Sequence, residues 1–253
     1  MADLSAGVLV LLALIGVVGG VGISAVGPGG VLPTIGLFAL TPLAPAVVAG
    51  TAIATNIACG IAGTAAFTAS GQLRDAATRR TALILAAAAV LGTPPGVVIN
   101  THVSKKAFGI LLAVFAVAVA VLVWWRGRQE AAAGHAHPRT WVLVVLGAAV
   151  GLVSGVLGLG GPMLTVPLLL AIGVGVLESL AAAQVQSIVI ASVGTIGYAI
   201  HGSVDWGLVL LIGAPELAGV IVGWRIARAL PTATLRGILV VVLLALAPYL
   251  ALR

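Results

Sequence analysis

The chain is 253 residues long, 61% hydrophobic and only 7% charged, with a mean hydropathy of +1.27. Soluble domains carry about 25% charged residues, so a hydrated globule is excluded. A disordered chain is excluded too, since disorder needs low hydrophobicity and high net charge; what remains is a polytopic membrane protein.

The net charge is +6, but the twelve Lys and Arg fall almost wholly in short gaps between apolar runs. That placement sets topology and meets lipid headgroups; it is not the footprint of a nucleic-acid partner. The 34 glycines and 12 prolines, with 4% aromatics, indicate closely packed and interrupted helices. Cys59 is the single cysteine and lies in an apolar run, which excludes an intrachain disulfide and argues against a metal cluster. No cofactor motif is present.

Taken in chain order, the first apolar run, 5–26, imitates a signal peptide. No Lys or Arg precedes it and no A-x-A motif closes it, so a spanning helix is expected. Runs at 46–69, 81–100, 107–125, 141–157, 179–200, 206–224 and 237–252 are mostly long enough to span, at about 20 residues each. The runs 31–40 and 162–172 are half that length, and each follows a glycine cluster: Gly27-Pro28-Gly29-Gly30 and Gly158-Leu159-Gly160-Gly161-Pro162. Continuous rather than alternating runs exclude a transmembrane β-barrel. The expected class is all-α, with about eight full spans and two half-helices.

A shift of 131 residues superposes Gly16 on Gly147, Gly20 on Gly151, Gly27 on Gly158, and Gly29-Gly30 on Gly160-Gly161. In the same ungapped register Thr34 meets Thr165, Gly63-Thr64 meets Gly194-Thr195, and Gly92 meets Gly223. Two homologous halves, 1–125 and 141–253, are therefore expected, joined by an exposed cytoplasmic linker, 126–140. If each half crosses five times, counting the short element as a crossing or as one arm of a hairpin, nine Lys and Arg share one side and three the other. Four crossings give seven to five. The positive-inside rule then favours inverted halves with both termini outside the plasma membrane.

Paired broken helices in inverted halves are the pattern of secondary transporters. A helix that starts inside the bilayer leaves N–H groups unpaired, a cost tolerated only beside protein or a hydrated cavity. Those N–H groups and the positive dipole end form an anion site, and glycine permits close approach.

The duplicated cluster, Gly27-Pro28-Gly29-Gly30-Val31-Leu32-Pro33-Thr34 and Gly158-Leu159-Gly160-Gly161-Pro162-Met163-Leu164-Thr165, resembles the TauE/SafE sulfite exporter family along essentially the whole chain. Gly197, Tyr198, Gly202, Val204 and Asp205 carry a second likeness. In the first copy Pro28 replaces the usual apolar residue, and Arg74 stands where the second half has Asp205. The resemblance implies export or uptake of a small sulfur anion of the sulfite, sulfonate or sulfoacetate class.

Gly29, Gly30, Gly160 and Gly161 are the first candidates for substrate contact, the alternative being tight helix packing, which better explains Gly16, Gly20, Gly151 and Gly155. Thr34 and Thr165 sit one turn into the half-helices, as ligands or bonded to their own helix. Thr55 and Asn56 pair by the offset with Gln186 and Ser187, as substrate donors or as interhelical glue; Thr51 and Gln184 add to that polar load. Glu216 is the only acid well inside a span, a candidate proton carrier or a partner for backbone freed near Pro215. His201 and Asp205 suit a gate or a solvated turn. The linker residues His135 and His137 are expected to be exposed, and the five tryptophans to anchor span ends.

A small-anion secondary transporter in the lipid bilayer is thus the leading reading, with a selective anion channel or uniporter, or a non-transporting scaffold, as alternatives. No G-x-S-G or H-E-x-x-H pattern supports an enzyme, and no Walker motif a pump. An oligomer is left open.

Overall fold

The computed structural model describes residues 4–25, 27–126 and 138–229, with parts of 237–252. Most of the linker, including His135 and His137, lies outside the described residues, as do the side chains of Trp125 and Trp224. Among the described residues there are nine α-helices and no strand: α1 Ala6–Ala25, α2 Leu32–Leu40, α3 Pro45–Ala69, α4 Ala76–Thr101, α5 Lys105–Arg126, α6 Thr140–Leu157, α7 Pro162–Ala171, α8 Val176–Ile200 and α9 Trp206–Ala229. Seven of them are long and apolar enough to cross a membrane; α2 and α7 are the short pair. The chain is an all-α polytopic membrane protein.

Local chemistry sets the ends. The Asp75 carboxylate accepts the Thr78 N–H at 2.8 Å and starts α4 five residues before its apolar run. Asp205 does the same for α9, accepting from the Leu208 N–H at 3.0 Å. The acid that Arg74 seemed to displace is therefore present in the first half, one residue later. Gly158 ends α6 at φ 70°, a left-handed conformation that side chains resist. Pro45 and Pro162 open α3 and α7, where a missing N–H costs nothing. Trp124, Trp141 and Trp206 all lie exposed within two residues of a helix end.

The 131-residue offset relates α3 to α8 at both ends. The strongest packing joins one half to the other: α1 lies along α9, and α4 along α6. Glycine makes both contacts. A Cβ on Gly16 or Gly219 would lie 2.6 or 2.2 Å from the carbonyl oxygen of Ile212 or Val17; on Gly92 or Gly155, 2.0 or 2.5 Å from that of Ala148 or Thr93. Partner numbers rise together, so each pair is parallel. In lipid, such van der Waals contact replaces the hydrophobic effect as the force between helices. The outer faces, with Leu91, Ile200 and Leu210 exposed, meet the bilayer.

At the centre α3 and α8 run antiparallel, Gly50 meeting Tyr198, Gly60 meeting Ile188 and Gly63 meeting Gln184. The half-helix α2 turns back along α1, with Gly36 against Ile15 and Leu12, and Pro33 against Gly19. It is the return arm of a hairpin. The Arg80 guanidinium donates to the Thr140 hydroxyl at 2.6 Å, joining the starts of α4 and α6 on one face, near Arg74, Arg79 and Arg139. On the other face the Asp205 N–H donates to Thr51 near the start of α3.

Gly92→Ala forces a methyl onto the Ala148 carbonyl, whereas Gly7→Ala meets nothing within 4 Å. The expected result in detergent is a melting temperature several degrees lower for Gly92→Ala, from about 1–3 kcal/mol of overpacking, and no fall for Gly7→Ala.

Candidate functional site

Helix geometry brings the two glycine turns to the middle of the α3–α8 crossing. A Cβ on Gly30 would lie 3.2 Å from Asn56 Oδ1, and one on Gly160 only 2.5 Å from the same atom. Asn56, eleven residues into α3, therefore touches the turn of its own half and that of the other. Its Nδ2 donates to the Ala52 carbonyl at 3.0 Å, which fixes the amide. Across the crossing, Ser187 Oγ accepts from the Gly161 N–H at 3.3 Å.

These groups border a cleft of about 10 Å³, lined by Ile23, Gly30, Asn56, Cys59, Gly160 and Ser187 together with Gln184 and Met163. That is room for about one water-sized group. None of the residues lining it is charged. Gly160 and Pro162, around the start of α7, and Gly27 and Gly30, in the turn that precedes α2, line the same space. The described lining is therefore neutral and combines residues of both turns that precede the half-helices. A wider vestibule of about 450 Å³ opens beside it, lined by Ile23, Ser24, Phe67, Leu180, Gln184 and Val220 among others; Ile23 and Gln184 belong to both spaces.

The family model for the sulfite exporter TauE/SafE matches residues 12–250. The chain belongs to the TauE/SafE family. It is thus a membrane protein of a family that transports sulfite-type anions. Comparisons with curated proteins and with solved structures gave no significant match.

Of the expected site residues, the structure gathers Gly30, Asn56, Gly160 and Ser187 around the cleft, with Gly161 bonded to Ser187. It directs others elsewhere. Gly29 packs into α1, where a Cβ would lie 2.2 Å from the Gly19 carbonyl oxygen. Thr34 donates to the Gly158 carbonyl at 3.1 Å, tying the first half-helix to the second half's turn. Thr165 donates to Gln186 Oε1, whose amide in turn reaches the Gly147 carbonyl at 3.4 Å. The Thr55 hydroxyl donates to the Ala52 carbonyl at 2.9 Å.

Gln184, Cys59 and Met163 line the cleft without having been among the expected contacts. Helical spacing carries the signal for two of them. Gln184 and Ser187 are three apart and share a face of α8, while Gln186 points away; Asn56, Cys59 and Gly60 share a face of α3 in the same manner.

Glu216 is fully buried in α9, and among the described residues neither carboxylate oxygen has a partner at ordinary hydrogen-bond geometry. A Cβ on Gly20 would lie 1.9 Å from its backbone carbonyl oxygen, so α1 closes one side of it. The Glu216 carboxylate interacts with the Thr55 side chain and lies within electrostatic reach of Cys59, a cleft residue. His201 is exposed, with Nδ1 2.8 Å from the Gly197 carbonyl oxygen, and sits in a solvated turn.

The division between cleft-lining and bonded residues is measurable. Thr34→Val and Thr165→Val each remove a buried donor and strand its acceptor, at about 1–3 kcal/mol. Both variants are expected to melt several degrees lower while keeping their affinity for the transported anion, as read by thermal shift with and without sulfite.

Proposed function

We propose that the chain is a secondary transporter that moves a small sulfur-containing oxyanion across the plasma membrane by alternating access between two inverted repeats. The convergence of two half-helix starts on a cleft lined by neutral groups from both halves carries this reading. A sulfite or sulfonate headgroup would accept from the backbone N–H groups of the two turns, with Ser187, Asn56 and Gln184 completing its surroundings. Without an Arg or Lys in the cleft, the anion is held by dipoles and is released when the cleft rehydrates.

The inversion is supported by the antiparallel course of the repeat-related helices α3 and α8. The arginine-rich face that includes Arg74, Arg79, Arg80 and Arg139 is then cytoplasmic, and both ends of the chain lie outside. Glu216 is the proposed proton carrier. It is buried and close to the cleft, on the face of α9 that meets α3, so a movement of the α1–α9 pair against α3 changes its access to water. The transporter reading is preferred to a channel because the cleft is narrow and its wide approach lies on one side.

Flux in proteoliposomes tests the proposal, with radiolabelled sulfite, a sulfonate and chloride as control under an imposed pH gradient. Saturable, gradient-dependent flux of one sulfur anion is expected. Gly160→Val, which fills the cleft, and Ser187→Ala should lower it by about tenfold or more, the loss expected when hydrogen bonds to a charged group are removed. Glu216→Gln should leave selective binding but abolish the response to the gradient. Equal flux of chloride and sulfite, unaffected by Gly160→Val, would sink the assignment.

A further inference from the structure

We propose that Tyr198 latches one face of the protein shut, and that its repeat partner Phe67 guards the open one. The cleft then rests exposed to the arginine-rich face. The inference rests on the alternating-access reading and names its gate.

Tyr198 lies near the end of α8, on the face away from the arginines, and is fully buried. Its hydroxyl donates to the Gly155 carbonyl at 2.6 Å. Its stem lies over Gly50, where a Cβ would come within 2.8 Å of the tyrosine Cβ. The loop beyond folds onto it, the Ser203 N–H donating to the Tyr198 carbonyl at 2.9 Å. One side chain thereby ties α8 to α6 and α3 across the approach to the cleft.

The 131-residue offset carries Tyr198 to Phe67, Gly50 to Ala181 and Gly155 to Ser24. That second set stands on the arginine side, and none of the described hydrogen bonds ties Phe67 across it. Phe67 is half-buried and lines the 450 Å³ vestibule beside Ser24 and Leu180. Two of the three differences weaken the copy, and the third ties its own helix elsewhere. Phenylalanine has no hydroxyl to donate. Ala181 places a methyl where Gly50 leaves room for the ring. Ser24 donates its own hydroxyl to the Val220 carbonyl at 2.7 Å, holding α1 to α9. Closing the arginine face by swinging Phe67 onto Ala181 therefore yields less than Tyr198 gains on the other face, and the resting state follows from that difference.

Single cysteines in a Cys59→Ala background test this, labelled by a membrane-impermeant thiol reagent from each face of sealed proteoliposomes. Ala62→Cys reports the vestibule, and Ile53→Cys the closed side, where Ile53 packs fully buried against Gly194. Ala62→Cys is expected to label from the arginine face, and Ile53→Cys to resist reagent from the other. Adding Tyr198→Phe should raise Ile53→Cys labelling about fivefold or more, the worth of one buried hydrogen bond. The opposite change, Phe67→Tyr with Ala181→Gly, should slow Ala62→Cys labelling by a similar factor. Fast labelling of Ile53→Cys before any gate change, or rates unmoved by both gate variants, would overturn the proposal. Labelling reports conformation without substrate, so absent sulfur-anion flux with this pattern intact would count against the substrate alone.

Discussion

Backbone that begins inside a bilayer has no water to bond, and the rest of this structure answers that constraint. Two half-helices start near the centre of the molecule, where helix-start N–H groups need acceptors; at α2 the Leu32 N–H finds one in the Gly29 carbonyl. Part of the demand is met by protein: Ser187 accepts from Gly161, and Thr34 satisfies the Gly158 carbonyl at the end of the preceding helix. Gly30 and Gly160, in the turns before the half-helices, border a cleft with Asn56 and Gln184. A fold that only had to be stable would run these helices straight through. Interrupting them twice, at positions 131 residues apart, costs free energy that the proposed anion site would return.

Neither half could build that cleft alone. Gly30 and Asn56 come from one, Gly160 and Ser187 from the other, and the longest contacts cross between halves. Glycine sets which of those contacts are stiff. Along α1–α9 and α4–α6 the backbones approach so closely that a methyl would strike a carbonyl, so each pair is a single body. On the proposed reading, movement that opens the cleft falls between the two pairs, around α3 and α8. The polar bonds at this boundary involve few groups, Tyr198 to Gly155 and Asp205 to Thr51 among them, as expected of an interface that has to be remade.

Much of this architecture was legible in the sequence because the bilayer leaves few choices. Run length gave the spans, and the glycine clusters beside half-length runs gave the broken helices. The helix ends then fell within a few residues of the apolar runs, except where Asp75 extended α4 into polar sequence and where α9 ran on to Ala229 past a run ending at 224. The site was legible at the level of backbone and helix, less so at the level of side chains. Gln186 and Gln184 look alike in composition, yet they lie about 200° apart around α8, and the Thr165 hydroxyl already bonds one of them. Thr34 was placed at the correct depth, but its partner belongs to a turn 124 residues away, which no local pattern encodes.

The departures from symmetry carry the functional content that the repeat cannot. A perfect duplication would make the two faces equal and leave the direction of access undetermined. Here Tyr198 stands against Phe67, and Glu216 stands where the first half has Leu85. The acid also matters for the anion on the proposed reading. An ionised carboxylate near the cleft repels a bound anion, and a protonated one does not, so the two occupancies are linked. By reciprocity, whatever free energy the proton contributes to anion binding, the anion contributes to proton binding. A single acid beside a cleft of neutral donors is therefore enough to join the two movements, and an added cation in the cleft would weaken that linkage by holding the anion whether or not the acid carried its proton.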